Sequence, residues 1–169
     1  MRIFLALLPP TTTRQELEHL QQQLPPSAGK KIAPPNLHLT LLFLGSVEAA
    51  QLQCLRQACG NIKAKAFAMT IDQLGWWKAA EIVWAGPTQP ATELLELVSQ
   101  VRTVAQQAGL EVDTRPYLSH ITLSRKAGTL LPLPAFTPFE WTAHDFCLME
   151  SVATANGVAY HVLECWALQ

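Results

Sequence analysis

NLHLTLLFLG, residues 36–45, places a histidine and a threonine two positions apart in a run that is otherwise rich in leucine and phenylalanine. This composition predicts a buried strand over residues 36–44. Side chains two positions apart on a strand point to the same face, so His38 and Thr40 should share one face while leucines occupy the other. A buried strand has no packing use for an imidazole beside a hydroxyl, which indicates a functional role for this face.

The same pattern recurs in the second half of the chain as SHITL, residues 119–123. A strand over residues 119–124 would place His120 and Thr122 on one face. A single His-x-Thr pair is more typical of a core histidine with a satisfied hydrogen bond, but its recurrence favours a functional pair. We therefore predict a single catalytic domain over residues 1–169, made of two pseudo-repeat lobes that each supply one His-x-Thr strand.

The rest of the chain alternates strand and helix patterns. The predicted strand segments are residues 2–7, 66–74, 81–86, 139–151 and 157–168, and the predicted helices are residues 14–24, 49–59 and 91–108. Threonines at 11–13 should cap the first helix, residues 75–77 should join two strands, and Asn156 with Gly157 should turn a closing hairpin. Two strand pairs have the pattern of hairpins, so the predicted class is α+β with mainly antiparallel sheet.

The charge balance excludes a protein that binds nucleic acid along an extended basic surface. Twelve Lys and Arg residues stand against 13 Asp and Glu residues, which gives a net charge of −1 and a pI of about 6.5. Any nucleic-acid partner should therefore be held by a few local contacts, at an end. The apolar run after Arg2 is short and two prolines stop it, so we expect a cytoplasmic protein with no membrane association.

The cysteines form no C-x-x-C pair and have no histidine at zinc spacing. This pattern favours buried, reduced thiols and therefore a reducing compartment. The four residues are Cys54, Cys59, Cys147 and Cys165.

Two imidazoles and two hydroxyls on facing strands suit metal-free acid–base chemistry at a phosphate. A neutral imidazole accepts a proton from water, a protonated one donates to a leaving oxygen, and hydroxyls can hold phosphate oxygens. A histidine metal site is the alternative, but neither motif has Asp, Glu or Cys beside it, so we expect no metal and no cofactor. No motif supplies an activated Ser or Cys nucleophile. The substrate must therefore be reactive by itself, and a strained cyclic phosphodiester meets this requirement.

Five segments resemble, in order and spacing, the bacterial and archaeal RNA 2′,3′-cyclic phosphodiesterases, also called 2′-5′ RNA ligases, of the two-histidine phosphoesterase superfamily. The segments are RIFLALLPP, NLHLTLLFLG, EIVWAG, RPYLSHITLSR and YHVLECWAL. The resemblance covers nearly the whole chain, and the paired H-x-T-x motifs are the defining feature of the superfamily. It implies a bilobal α+β fold in which two mainly antiparallel sheets flank a central cleft, with helices on the outside.

The resemblance also implies roles for individual residues. His38 resembles the proton donor of the family and His120 its proton acceptor, although the sequence itself does not say which is which. Thr40 and Thr122 would hold the phosphate. Arg125 matches a basic residue that helps to hold phosphate or RNA, with a solvated charge at the end of a strand as the alternative.

The chain departs from the family pattern at two places. Ser119 stands where the family often has Pro, and Lys31 with Ile32 stands where it often has Arg-Trp. The second departure removes an aromatic side chain that could stack on a base. Other aromatics could replace it, with core or surface packing as the alternative: Trp76, Trp77 and Tyr117. The remaining histidines lack a threonine partner and are expected to be structural or surface residues: His19, His144 and His161.

Motifs and resemblance together predict a monomeric enzyme that hydrolyses an RNA 2′,3′-cyclic phosphate to a 2′-phosphomonoester. Its partners would be RNA or oligonucleotide ends, tRNA fragments among them. A 5′-hydroxyl in place of water would give ATP-independent 2′-5′ RNA ligation, and no P-loop pattern is visible. Two alternatives stay open: a cyclic phosphodiesterase for small nucleotides or ADP-ribose cyclic phosphate, and a non-catalytic module that binds RNA ends.

Overall fold

The computed structural model describes residues 1–128, 132–155 and 157–169. The helices in these ranges are α1 (Thr11–Gln23), α2 (Ala49–Cys59) and α3 (Thr92–Gln107). The strands are β1 (Arg2–Leu7), β2 (Lys30–Lys31), β3 (Leu39–Ser46), β4 (Phe67–Ile71), β5 (Gln73–Trp77), β6 (Ile82–Gly86), β7 (Ile121–Arg125), β8 (Phe139–Ala143), β9 (Asp145–Thr154) and β10 (Gly157–Ala167). The predicted α+β class is confirmed.

Eight strands form one antiparallel sheet in the order β10-β9-β1-β3-β7-β6-β5, with β2 paired to β7, and β4 pairs with β8 in a separate ribbon. β3 and β7 meet through one pair, Leu39 with Ile121. Both residues are the first of their strands, so the strands overlap only at their beginnings and run in opposite directions from there. The two sheets that the resemblance implied are thus joined at this single pair.

The core lies on the sheet face that carries Leu39 and Ile121, both fully buried. Each helix turns its apolar residues toward this face at intervals of three and four positions, as an amphipathic helix must. The buried helix residues include Leu17 and Leu20 of α1, Leu55 and Cys59 of α2, and Leu94, Leu97, Val98, Val101 and Ala105 of α3. The opposite face of the sheet is left open at the β3–β7 junction, where the histidine motifs lie.

Four local predictions need correction. The first helix begins at Thr11 after Pro10 and has no side-chain cap, so the threonines lie inside its first turn. Residues 66–74 split between β4 and β5, and residues 139–151 split between β8 and β9; in each case the two strands belong to different sheets. Residues 75–77 form part of β5 rather than a turn, and Gly75 is required there because the ring of Trp84 lies where a β-carbon would be. β9 and β10 pair as the predicted hairpin, and Asn156 of its turn lies outside the described residues.

The prediction of four buried, reduced cysteines is wrong for three of them. Cys147 and Cys165 are register partners on β9 and β10 and form a disulfide, and Cys54 is exposed. The register is set by the whole hairpin and leaves no motif in the sequence, so spacing alone could not reveal the pair. Cys59 is buried as predicted, and burial raises the pKa of its thiol to about 12. The cysteines therefore no longer argue for a reducing compartment.

Among the described residues, no helix is both long and apolar enough to cross a membrane.

Buried polar contacts dock the short strand β2 against β7. The side-chain amide of Gln21, on α1, donates to the carbonyl oxygens of Ile32 at 2.9 Å and Leu123 at 2.8 Å. The hydroxyl of Ser124 donates to the carbonyl of Ala28 at 2.7 Å. Because buried donors and acceptors are costly to leave unpaired, these bonds fix where β2 lies along the edge of β7.

Gly29→Ala should destabilise the fold by disturbing the packing of β2 against β7. Gly29 has φ +80°, and an added β-carbon would lie 2.2 Å from the carbonyl oxygen of Arg125. We expect a loss of about 3–5 kcal/mol in the free energy of unfolding, from left-handed strain plus overpacking. Gly109→Ala is the control, since its φ is +74° but the added carbon meets only a side-chain nitrogen at 3.8 Å, and about 1–2 kcal/mol is expected. Urea denaturation measures both, and equal losses would contradict the close approach.

Candidate active site

Each histidine motif lies where the two halves of the sheet meet. His38 directly precedes β3 and His120 directly precedes β7, so both strands begin one residue after the histidine. The residues that follow, Leu39 and Ile121, form the joining pair. Extending this antiparallel register by one residue on each side of the Leu39–Ile121 pair sets His38 opposite Thr122 and Thr40 opposite His120. The pairing of two buried core residues therefore brings the polar residues of both motifs to one side of one junction.

The imidazole of His38 is held in one tautomer by the backbone. Its Nδ1–H donates to the carbonyl oxygen of Asn36 at 2.6 Å, and a carbonyl can only accept. The Nε2 atom lies 3.0 Å from the hydroxyl of Thr40. The ring packs against Phe4, with centroids 4.9 Å apart, and against the edge of Tyr160 at 5.0 Å. Nε2 is therefore the atom at which His38 can take or give a proton.

The imidazole of His120 is held in the same way. Its Nδ1–H donates to the carbonyl oxygen of Leu118 at 2.7 Å. Trp77, on β5, and the imidazole form a T-shaped pair with ring centroids 4.6 Å apart. The two histidines thus share a backbone-fixed Nδ1, an aromatic neighbour and an Nε2 atom available for proton transfer.

Both histidines favour the neutral form in the free protein. Burial lowers the pKa of His38 most, the hydrogen bond to the Asn36 carbonyl opposes this, and the charges of His120 and Arg125 lower it further. Burial also lowers the pKa of His120, against its bond to Leu118, and Arg125 lowers it again. The charge of Arg125 acts on both imidazoles and the charge of His120 acts on His38, which places the three groups in one electrostatic neighbourhood. An anion bound among them would raise both pKa values.

Arg125 reaches the cavity because β7 contains a bulge. Strict alternation from Thr122 would turn a residue three positions later to the opposite face. The pairing with β6 skips Leu123, so Leu123 and Ser124 are both buried and Arg125 returns to the open face. Periodicity in the sequence could not have revealed this.

Tyr117 ties the two motifs together rather than offering a stacking surface. It lies three residues before His120, and its hydroxyl donates to the carbonyl oxygen of Thr40 at 2.9 Å. Burial raises the pKa of this phenol. Trp76 is also engaged, since its indole N–H donates to the carbonyl of Ala127 at 2.7 Å. Of the three aromatics considered for stacking on a base, Trp77 is the one that contacts a motif histidine.

A cavity of about 650 Å³ opens beside the first motif. Its lining includes His38, Thr40 and Arg125, whereas His120 and Thr122 are not part of it. The lining also holds cations and aromatics to which sequence reasoning gave no role in the site: Arg2, Lys30, Lys31, Lys126, Phe4, Phe43 and Tyr160. The cations come from three separate segments, so only the adjacent Lys30 and Lys31 are visible as a charge cluster in the sequence. Within the described part of the chain, no group of three or more His, Cys, Asp or Glu side chains could hold a metal ion.

Comparison with known proteins agrees with this geometry. An RNA 2′,3′-cyclic phosphodiesterase of Escherichia coli is 35% identical over 99% of this chain and 96% of its own length. The sequence profile described as LigT like Phosphoesterase matches residues 7–84. The chain belongs to the LigT-like phosphoesterase family.

Other members of the LigT-like family extend this result. An RNA 2′,3′-cyclic phosphodiesterase of Thermus thermophilus is 30% identical over all of this chain and 91% of its own length. The crystal structure of E. coli LigT complexed with 3′-AMP superposes with a TM-score of 0.93 at 34% identity, covering 99% of this chain and 97% of the other. The three histidines outside the motifs are exposed in this LigT-like protein, in line with their expected surface role: His19, His144 and His161.

Arg125→Gln should raise the pKa of both motif histidines. The guanidinium of Arg125 lowers each pKa, so its removal makes protonation easier and moves both titrations to higher pH. NMR titration of the imidazole resonances in the free protein measures the change. Arg14→Gln is the control and should leave both titrations where they are, because Arg14 pairs with Glu18 on α1 and its charge has no effect on either histidine. Unchanged titrations in the Arg125 variant would show that its charge does not reach the imidazoles.

Proposed function

We propose that this LigT-like phosphoesterase is an RNA 2′,3′-cyclic phosphodiesterase that opens the cyclic phosphate at an RNA end to a 2′-phosphomonoester. The observation that carries the proposal is the pair of backbone-fixed imidazoles at one strand junction beside a cationic cavity. Full-length relatives named for this activity support it. So does the binding of 3′-AMP by the related E. coli protein, because a nucleotide with a phosphate on the ribose resembles the product.

The proposed reaction needs two proton transfers and no covalent intermediate. His120 Nε2 takes a proton from water as the water oxygen bonds to phosphorus. The bond between phosphorus and the ribose 3′ oxygen breaks, and His38 Nε2 gives that oxygen a proton. The phosphate stays on the 2′ oxygen, and the two histidines end with their protonation states exchanged. Thr40 and Thr122 would donate to the non-bridging oxygens.

Arg125 would stabilise the added negative charge on the phosphate during ring opening. Its side chain lines the cavity and is exposed, and its charge is felt at both imidazoles. A guanidinium can donate two parallel hydrogen bonds to phosphate oxygens. These features favour the phosphate-binding role over a solvated charge at the end of a strand.

His38→Ala and His120→Ala should each lower kcat for a short RNA with a cyclic end at least about 10²-fold, the usual size of one lost proton transfer. His161→Ala, which removes an exposed imidazole outside the cavity, should keep full activity. Circular dichroism shows that each variant is folded. Full turnover in both motif variants would leave only the non-catalytic module that binds RNA ends.

A substrate with sulfur in place of the 3′ oxygen separates the two roles. A thiolate leaves without protonation, so His38→Ala should regain most of its lost activity on the 2′,3′-cyclic phosphorothiolate. His120→Ala should stay slow, because water still needs a base. Chromatography measures the rate of product formation from this substrate and from the ordinary oxygen substrate. Rescue of His120→Ala instead would reverse the assignment of acid and base.

Several finer predictions belong to this proposal. The domain would consist of two pseudo-repeat lobes, supported by the matching bulges and the matching burial order in β3 and β7. Ligation through a 5′-hydroxyl would use the same two histidines, with the hydroxyl in place of water. A monomeric state, tRNA fragments as substrates and a cytoplasmic location stay predictions. Light scattering tests the monomeric state, capture of tRNA halves tests the substrate, and cell fractionation tests the location. Small cyclic nucleotides and ADP-ribose cyclic phosphate are the rival substrates to compare with RNA in the hydrolysis assay.

A further inference from the structure

Four cations lie together on the edge formed by β2 and the end of β7. Lys30, Lys31, Arg125 and Lys126, here called the basic edge, are all exposed and all line the cavity beside His38. In the β2–β7 ladder, Lys30 is the register partner of Arg125. Four positive charges from two distant segments thus converge on one rim of the site.

The backbone that carries the basic edge is rigidly built. Buried bonds from Gln21 and Ser124 fix β2 on β7, and Gly29 allows the close approach of the two chains. Lys126 has φ +64°, and the backbone N–H of the buried Ala127 that follows it donates to the carbonyl of Glu81 at 3.1 Å. The fold therefore sets where the backbone of each of these four residues lies along the rim.

The charge at the cavity exceeds what the reacting phosphate needs. The whole chain has a net charge of −1, yet five of its twelve cations line this cavity, and no Asp or Glu is among the described residues that do so. A 2′,3′-cyclic phosphodiester carries a single negative charge, and Arg125 suffices to pair with it. The excess points to further phosphates on the same ligand.

The geometry assigns these further phosphates to the basic edge. A cavity of about 650 Å³ is the size of a site for one small ligand, so a longer nucleic acid must leave it across the rim. Phe4, Phe43 and Tyr160 line the cavity from β1, β3 and β10, which belong to the other half of the sheet from β2 and β7, and Arg2 lies over the ring of Phe43 at 5.3 Å. Aromatic rings suit base faces rather than phosphates.

Resting on the proposed function, we propose that the lysines of the basic edge bind the backbone phosphates of the nucleotides that precede the cyclic end. The preferred substrate is then an oligonucleotide rather than a mononucleotide. This selects between the RNA end and the small cyclic nucleotides as the substrate class. It also explains how a chain with slight net negative charge can hold RNA, through a short local contact.

The salt dependence of binding tests this directly. Fluorescence anisotropy compares labelled RNAs of one, two and three nucleotides that end in a 2′-phosphate, which the enzyme does not consume. For single strands, each phosphate contact adds about −0.7 to the slope of log affinity against log salt. The wild-type slope should therefore steepen by about 0.7 with each added phosphate that the basic edge contacts.

A matched pair of double variants isolates the basic edge. Lys30→Gln with Lys31→Gln should reduce the trinucleotide slope by about 1.4, two contacts at about 0.7 each, and weaken trinucleotide binding at least tenfold relative to the mononucleotide. Lys63→Gln with Lys65→Gln removes the same charge from exposed positions outside the cavity and should change neither quantity. Equal effects of the two double variants would overturn the proposal. So would a wild-type slope that stops rising after the first phosphate, which would indicate a site for a single phosphate.

Turnover separates this inference from the proposed function. Wild-type protein that binds the three RNAs with the expected slopes but leaves their cyclic counterparts unopened refutes the hydrolase and keeps the basic edge as an RNA-binding surface. Wild-type protein that opens cyclic mononucleotide and cyclic trinucleotide with the same kcat/KM, and with the same salt slope, keeps the hydrolase and refutes the basic edge.

Discussion

The site depends on one backbone pairing between two buried residues. Leu39 and Ile121 begin their strands and join the two halves of the sheet, and no other register pair links β3 to β7 among the described residues. Because strand side chains alternate, fixing these two core residues on one face fixes the histidine and threonine on either side of each on the other. Apolar burial at the junction thus determines the polar arrangement, and the hydrogen bond from the Tyr117 hydroxyl to the Thr40 carbonyl supports it.

Electrostatics at this junction couple the two imidazoles to the charge around them. Burial and the charge of Arg125 lower the pKa of both imidazoles, while each Nδ1–H donates to a backbone carbonyl. A phosphate brings negative charge to the same place, which raises both pKa values and supplies the protonated partner that acid catalysis needs. In the proposed mechanism, substrate binding would therefore also activate the acid, and no metal takes part.

Sequence was sufficient wherever the determining pattern was local. Alternation in residues 36–44 placed His38 and Thr40 on one face, and the spacing of apolar residues located all three helices. It failed where distant segments decide the outcome. The bulge at Leu123 returns Arg125 to the cavity against simple alternation, the β9–β10 register makes the disulfide, and the cations of the basic edge meet only after folding. Each of these is a property of strand pairing, which residue-by-residue patterns do not contain.

A crystal structure with a 2′-phosphorylated nucleotide bound measures the central claim, that both imidazoles serve one phosphorus atom. The account predicts that Nε2 of His38 and Nε2 of His120 each lie about 2.6–3.2 Å from oxygens of the same phosphate group or of its ester linkage. A phosphate hydrogen-bonded to one imidazole alone, with Nε2 of the other imidazole beyond hydrogen-bond distance and pointing away from the phosphate, would contradict it.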